Sequence, residues 1–168
     1  KLLNEKINFL EQKTKTILGE EINLRSSQQL GKILIENLGV PPTKKTKTGY
    51  TMDANTLEEI LNNKSIEKKA RELIKIVLDH REFSKIKSTY ADSIPELINK
   101  KTGRIHTYFN QAGTSTGRLS STNPNLQNIP VRTKIGNEVR KAFESNNKNN
   151  HLLLSADYSQ IELKILAH

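Results

Sequence analysis

Asp157 follows a short apolar run and precedes a stretch with helical periodicity, so its carboxylate lies where it could do chemistry. The run Leu152-Leu153-Leu154 predicts a short buried strand that ends at Asp157, and residues 159–168 predict a helix. A carboxylate at a strand end, beside the positive end of a helix dipole, is a natural ligand for Mg²⁺ that also binds phosphate oxygens. The plainer alternative is that Asp157 caps the following helix, which is the more common role at an isolated junction.

Basic residues are concentrated in two intervals that contain no carboxylate. The chain of 168 residues has 27 Lys and Arg against 18 Asp and Glu, a formal net charge of +9. No acidic residue lies between Glu36 and Asp53 or between Glu96 and Glu138. The basic side chains in these intervals are Lys44, Lys45, Lys47, Lys100, Lys101, Arg104, Arg118, Arg132 and Lys134. This distribution favours a phosphate-binding surface over a merely solvated basic face, and nucleic acid as the partner.

The second interval is also rich in side chains that donate hydrogen bonds to phosphates, sugars and base edges. They are Ser115, Thr116, Ser120, Ser121, Asn125, Gln127 and Asn128. Aromatic residues make up only 5% of the chain, so a stacking platform for single strands is less expected than contact with a duplex backbone.

Composition excludes several other classes of protein. The sequence has no Cys, which rules out disulfides, thiolate zinc sites and a cysteine nucleophile. No apolar stretch approaches the roughly 18 residues of a membrane span, and no signal peptide opens the chain. The sequence begins at Lys1 without Met and finishes within a predicted helix, so we expect a piece of a longer protein.

Helical periodicity dominates the first half of the chain. It predicts helices over 1–18, from Ser27 to about residue 37, over 53–61 and, as the longest segment, over 65–87. Ser27 is the expected cap of the second helix, and Pro41 and Pro42 forbid its continuation. Asp53 or Thr56 is the expected cap of the third helix. Acids and bases alternate along the longest helix, a pattern typical of solvated faces with pairs four residues apart.

After Pro95 the composition changes. Alternating apolar and polar residues predict a strand over 104–111, followed by an irregular segment over 114–132. A helical turn is expected over 138–143 and a polar loop over 146–150, before the strand that ends at Asp157. The predicted fold class is therefore α+β, with a helical part to about Ala91.

Two long motifs resemble those of family A DNA polymerases, the bacterial DNA polymerase I type. The first is D-Y-S-Q-I-E-L, from Asp157 onward, which resembles the first catalytic motif of the palm. The second is T-G-R-L-S-S, from Thr116, followed by P-N-L-Q-N-I-P, from Pro124. The segment K-I-K-S-T-Y, from Lys85, resembles the junction between thumb and palm. The resemblance implies a helical thumb over 1–91, with long antiparallel helices and a small helical tip, and the first strands and helix of an incomplete palm over 92–168.

The resemblance implies a metal and nucleotide site around Asp157. In the family two Mg²⁺ ions serve phosphoryl transfer, and Asp157 matches the aspartate that bridges both, with the carbonyl of Tyr158 as a further ligand. Tyr158, Ser159, Gln160 and Glu162 are the implied nucleotide-binding residues. Ser159 and Gln160 would lie beside the incoming nucleotide or the template, and an ordinary polar residue at a helix N-terminus is the alternative for Ser159. Glu162 matches the residue that crowds the sugar 2′ position and so excludes ribonucleotides. Lys164 departs from the family pattern, where Arg is more frequent, and loses the bidentate geometry.

The resemblance also implies contacts with primer–template DNA. Arg118 matches the arginine that enters the minor groove at the primer terminus, where acceptors are common to all correct pairs. The other DNA-binding residues implied are Asn125, Gln127, Asn128 and Arg132, then Lys85, Lys87, Ser88 and Thr89 at the thumb base, and Lys44, Lys45 and Lys47 at its tip.

The implied parent is a DNA-directed DNA polymerase that adds deoxynucleotides to a primer 3′-hydroxyl. We expect a monomer whose partners are primer–template DNA and deoxynucleoside triphosphates, with no membrane, in the bacterial cytoplasm near the nucleoid, an organelle being the alternative. The family's second catalytic aspartate and its fingers helix do not occur here, so the fragment itself is predicted to be inactive. A non-catalytic nucleic-acid-binding module, a single-subunit RNA polymerase, which Glu162 disfavours, and a purely structural fragment are the alternatives.

Overall fold

Two long antiparallel helices, α1 (Leu2–Leu18) and α4 (Lys68–Ile86), pack side by side in the computed structural model, which describes residues 1–46, 49–131, 133–145 and 151–168. Both were predicted from apolar spacing, and the prediction is confirmed. Gly19 ends α1 with φ 81°, a left-handed conformation that glycine adopts without steric cost.

Polar contacts join the two helices along their length. The Lys13 ammonium lies 2.7 Å from the Glu72 carboxylate, and Nε2 of His80 lies 3.0 Å from Oε1 of Glu11. Farther along, the Lys6 ammonium lies 5.2 Å from the centre of the Phe83 ring. The partners advance along α1 while they recede along α4, which fixes the antiparallel orientation.

Short elements connect these helices. They are α2 (Ser27–Lys32), a π-helical turn (Ile33–Asn37), strands β1 (Lys45–Thr46) and β2 (Gly49–Tyr50), and α3 (Ala54–Asn62). Asp53 caps α3 by accepting a hydrogen bond from Thr56 N, as one of the two predicted caps. Ser26 caps α2, one residue before the expected Ser27.

The core lies between these elements and the inner face of α4. Leu30, Leu34, Leu57, Leu73 and Val77 are fully buried there. Burying each aliphatic side chain contributes about 1.5–3 kcal/mol, so helix packing stabilises this part of the chain.

Residues 87–128 form short elements instead of long ones. They are a π-helical turn (Lys87–Ala91), α5 (Ser93–Glu96), β3 (Ile98–Asn99), β4 (Arg104–Ile105), β5 (Tyr108–Asn110), β6 (Ser120–Thr122) and a 3₁₀ turn (Leu126–Asn128). The antiparallel pairs are β1 with β2, β3 with β4, and β5 with β6. In the last pair Phe109 is opposite Ser121.

The single strand predicted over 104–111 is wrong, because the chain is divided there between two sheets. Arg104–Ile105 pairs with β3, whereas Tyr108–Asn110 pairs with β6. Between these two pairs, Thr107 Oγ1 lies 2.7 Å from Pro124 O, in the segment that follows β6. Alternation reports which faces are buried, but it does not report which strand pairs with which.

The structure groups the chain into two compact units, Lys1–Gln127 and Asn128–His168. The second contains α6 (Lys134–Lys141), which Thr133 caps through Gly136 N, and α7 (Ile161–Ala167). Helix α6 is longer than the helical turn expected at 138–143. The polar loop expected at 146–150 lies outside the described residues, and the thumb–palm boundary at 91 stays a prediction.

The buried strand predicted at Leu152–Leu154 is wrong. The three leucines are 91%, 71% and 92% exposed, and residues 151–158 have no strand partner among the described residues. A strand is stabilised by cross-strand pairing, and apolar composition alone does not supply a partner. The helix that follows begins at Ile161 rather than at residue 159, because Gln160 adopts a left-handed conformation with φ 53°.

The described part of the chain is therefore mostly helical, with small antiparallel sheets. This secondary-structure content agrees with the α+β prediction. No helix within the described ranges has the length and apolar character needed to cross a bilayer.

Candidate nucleic-acid interface

Arg118 lies exposed on a loop whose backbone is fixed on both sides. The Thr114 hydroxyl donates to the Arg118 carbonyl at 2.7 Å. Gly117 has φ 72°, a left-handed turn conformation that favours glycine at this position. The exposed Arg118 side chain thus extends from a backbone that hydrogen bonds hold in place.

Gln127 holds the residues that follow Arg118. Its Oε1 accepts a hydrogen bond from Ser121 N at 3.2 Å, and its Nε2 donates to Leu119 O at 2.9 Å. The Asn125 side chain accepts from Gln127 N at 3.0 Å. Both amides are exposed, but each already uses polar groups inside the loop, so fewer of those groups remain for DNA than the sequence suggested.

Ser121 is the centre of this loop's hydrogen bonds, which sequence analysis missed. It is 1% exposed, and its Oγ lies 2.7 Å from Thr107 Oγ1. The same oxygen accepts from Leu126 N and donates to Pro124 O, both at 3.1 Å. The expectation that Ser121 donates to phosphates is therefore wrong, since a buried hydroxyl used in this way is not available to a ligand.

Arg118, Asn125 and Gln127 share this loop within Lys1–Gln127. Asn128, exposed, is the first residue of the second unit, and Arg132 lies outside the described residues.

The basic hairpin, residues 43–46 and 49–51, carries Lys44 and Lys45, both exposed. Its base is closed by Thr51, whose N–H and hydroxyl each donate to Lys44 O at 2.9 Å. The Thr43 hydroxyl donates in turn to Thr51 O at 2.9 Å. Lys47 lies outside the described residues.

The residues at the end of α4 differ in their availability to a ligand. Lys85, Ser88 and Thr89 are exposed. The Lys87 ammonium is half-buried and lies 2.5 Å from the Asp92 carboxylate. Because that carboxylate already offsets its charge, the Lys87 ammonium is less available to an anionic ligand than that of Lys85.

Two charged groups beside the hairpin have shifted pKa values. The pKa of Asp53 lies below its usual value because the Thr56 backbone N–H and hydroxyl bond to the carboxylate, with a smaller contribution from Arg81. Burial lowers the pKa of Arg81, and Asp53 partly opposes that shift.

Asp157 lies in the exposed segment before α7. Tyr158, Ser159, Gln160 and Glu162 are exposed as well. Gln160 is the N-cap residue of α7 and makes no capping hydrogen bond through its side chain, so Asp157 is not the cap that the plainer alternative expected. Across the described ranges no three His, Asp or Glu side chains come together as a metal-binding group.

Comparison with known proteins supplies the family. The model of DNA polymerase family A matches residues 1–168. DNA polymerase I of Synechocystis sp. is 51% identical over 168 residues, and thermostable DNA polymerase I of Thermus aquaticus is 46% identical over 165. These matches cover 99% and 98% of this chain but only 16% and 19% of the relatives.

A solved structure has the same fold. It is the polymerase domain of Pol1 from M. smegmatis in complex with DNA primer-template and dNTP. It matches with a TM-score of 0.80 and 40% identity, over 99% of this chain and 28% of the other. The chain therefore spans a minor part of the proteins it resembles.

Proposed function

We propose a function on the basis that this chain belongs to DNA polymerase family A. It forms the part of a DNA-directed DNA polymerase that binds primer–template duplex, and it includes the first part of the catalytic palm. The observation that carries the proposal is Arg118, exposed on a loop whose backbone is held by Thr114 and Gln127. A rigid backbone lowers the entropy lost when a long side chain is ordered on DNA, so less binding energy is spent on ordering it.

Arg118 is the residue we assign to the minor groove at the primer terminus. A polymerase binds every sequence, and minor-groove acceptors are common to all correct base pairs, so a planar guanidinium can serve there without selecting a sequence. Asn125, Gln127 and Asn128 supply further polar contacts near the same junction. Gln127 contributes mainly by holding the loop, because both ends of its amide are hydrogen-bonded to the backbone.

Lysines supply the sequence-independent part of the affinity. We assign Lys44 and Lys45 of the basic hairpin, Lys85 of α4, and Lys47 to phosphates of the duplex. Lys87, Ser88 and Thr89 belong to the same proposed surface, Lys87 with the weaker role noted above. Arg132 is assigned to a phosphate separately. Each ammonium that meets a phosphate releases condensed counterions, so this surface makes affinity depend on salt.

Asp157 is the residue we assign to the metal. Polymerases of this family use Mg²⁺, a hard cation that prefers carboxylate and carbonyl oxygens, and Asp157 with the carbonyl of Tyr158 offers such a donor set. The ions, when bound, stabilise charge on the reacting phosphate. Ser159, Gln160 and Glu162 would lie against the nucleotide, with Glu162 restricting the 2′ position. One carboxylate does not hold two cations, so we propose that the chain alone binds DNA without extending a primer.

Duplex binding at several salt concentrations tests the proposal. Fluorescence anisotropy with a labelled primer–template should show binding that weakens as salt rises. Arg118→Ala should weaken it, whereas Asp157→Ala should not, because that carboxylate serves metal and nucleotide. Arg140→Ala on α6 is the matched control, since it removes an exposed arginine outside the proposed surface. Equal losses for Arg118→Ala and Arg140→Ala would show only a dependence on net charge and would contradict the assignment.

A non-catalytic nucleic-acid-binding module is the alternative function, because the exposed basic side chains Lys44, Lys45 and Lys85 would serve it equally well. A primer-extension assay on the longest natural form of the protein separates the two, since only a polymerase adds nucleotides.

A further inference from the structure

Arg81, in the last third of α4, has a guanidinium turned into the protein instead of toward solvent. Its Nε donates to Leu24 O at 3.2 Å, and its Nη1 donates to Met52 O. Its Nη2 is buried without a hydrogen-bond partner among the described residues. The alternating charges of this helix predicted a solvated face, so Arg81 is an exception that the sequence pattern conceals.

The two carbonyls belong to segments that are far apart in sequence. Leu24 precedes α2, whereas Met52 follows β2, and both side chains are buried in the core. One planar group therefore fastens the start and the end of the connection 24–52 to α4. This connection contains the basic hairpin.

The fastening extends directly to a lysine of the hairpin. Thr51 adjoins Met52 in sequence and donates two hydrogen bonds to Lys44 O, both of 2.9 Å. Arg81 is thus linked to the backbone of Lys44 in two steps: it bonds to the carbonyl of Met52, and the preceding residue, Thr51, bonds to the carbonyl of Lys44. Displacement of Met52 would loosen the closure of the hairpin at Lys44.

We propose that Arg81 is a positioning residue for duplex binding, which holds the basic hairpin so that the ammonium groups of Lys44 and Lys45 meet DNA phosphates together. This inference rests on the proposed function, because it requires those lysines to bind duplex. Without the anchor, the hairpin would have to be ordered on binding, at an entropic cost that a preformed surface avoids. A lysine at position 81 would keep the charge but would lose the rigid fork that spans two carbonyls.

The test compares Arg81→Lys with the double variant Lys44→Ala/Lys45→Ala and with the triple combination. Binding of a labelled primer–template is measured against salt for each. The slope of log K against log salt changes by about 0.9 for each phosphate contact, so the double variant should lose up to about 1.8. Arg81→Lys should lose most of the same amount with no change in net charge, and the triple variant should lose no more than the double variant.

Arg71→Lys is the matched control. Arg71 also lies on α4 and also forks to two carbonyls, those of Leu61 at 2.5 Å and Asn63 at 2.9 Å, but these terminate α3 and do not adjoin the hairpin. Circular dichroism should show a similar loss of thermal stability for both arginine variants. Only Arg81→Lys should lower the salt slope.

The other outcomes each contradict a stated part of the reasoning. If the double variant lowers the slope and Arg81→Lys does not, the positioning role is wrong while the lysine contacts stand. If Arg81→Lys and the double variant act additively, Arg81 does not act through the two lysines, and the inference fails. If Arg71→Lys lowered the salt slope as much as Arg81→Lys, the effect would reflect a general loss of structure, and the positioning role of Arg81 would be wrong. If the double variant leaves the salt slope unchanged, or if the chain without substitutions does not bind duplex, the assigned lysine contacts are wrong and the inference fails with them.

Discussion

Removal of the Ser121 hydroxyl should open the loop that carries Arg118. In Ser121→Ala the Leu126 N–H loses the acceptor that now lies 3.1 Å away. Thr107 is less affected, because its Oγ1 also lies 3.0 Å from Thr122 O and 2.7 Å from Pro124 O, and its single proton can be donated to one of these carbonyls without Ser121. The substitution therefore removes about one net hydrogen bond and strands one half-buried donor.

The magnitude follows from these two losses. A neutral hydrogen bond contributes about 1 kcal/mol, and an unsatisfied buried donor costs about 1–3 kcal/mol. Leu126 is only half-buried, so the lower part of that range applies and the total is about 2 kcal/mol. This corresponds to about 30-fold in the equilibrium for local opening, since 1.4 kcal/mol is tenfold.

Amide hydrogen exchange measured by NMR reports that opening directly. Protection of the Leu126 amide should fall about 30-fold in Ser121→Ala, by the arithmetic above. Thr122→Ala is the control, because Thr122 is the exposed neighbour in β6 and its backbone carbonyl is retained. Unchanged protection of Leu126 in Ser121→Ala, or an equal loss in Thr122→Ala, would refute the role of the buried hydroxyl.

Three further changes test the packing, the capping and the close approach of backbone segments. Leu73→Ala should destabilise the chain by about 2–5 kcal/mol in urea unfolding, because Leu73 is fully buried, whereas Lys75→Ala on the exposed face should change little. The pKa of Asp53 is lowered in the folded chain, so its carboxylate stabilises the fold above the unfolded pKa, about 3.9, and this contribution is lost as pH falls through the folded pKa. Asp53→Asn should therefore flatten the acid side of the curve of unfolding free energy against pH. An unchanged curve would contradict the capping role of Asp53. Gly136→Ala should lower thermal stability although alanine favours helices, because the new Cβ would lie 2.6 Å from Pro130 Cβ; a stabilised variant would show that this contact relaxes freely.

The helices could be predicted because their signal is local. Apolar residues spaced three and four apart located α1, α3 and α4 to within a few residues, and Asp53 was among the expected caps. Strand pairing is not local in this sense. The segment 104–111 alternates correctly, yet its two halves pair with different partners, and Leu152–Leu154 has the composition of a strand but no partner in the described part of the chain.

The candidate site was likewise predicted only in part. Its residue types were visible in the sequence, since the interval between Glu96 and Glu138 combines basic side chains and amides without an acid. Burial was not visible, because a serine that binds a ligand and a serine that anchors a loop have the same side chain. The side chains of Ser121 and Arg81 both point into the protein and bond to backbone groups there. Neither a motif nor a periodicity in the sequence distinguished them from their exposed neighbours.

The pairing of α1 with α4 has a mechanical consequence. With 19 residues at about 1.5 Å each, α4 is about 28 Å long, and contacts at three heights hold α1 beside it. If the angle of α4 changed at one end, such a pair would turn as one rigid body. By this geometry, a rotation of about 10° about the end near Ile86 carries the opposite end through about 5 Å, more than the roughly 3.4 Å between successive nucleotides of one DNA strand. A small change of angle at one end of these helices is therefore amplified at the other into a step of nucleotide size.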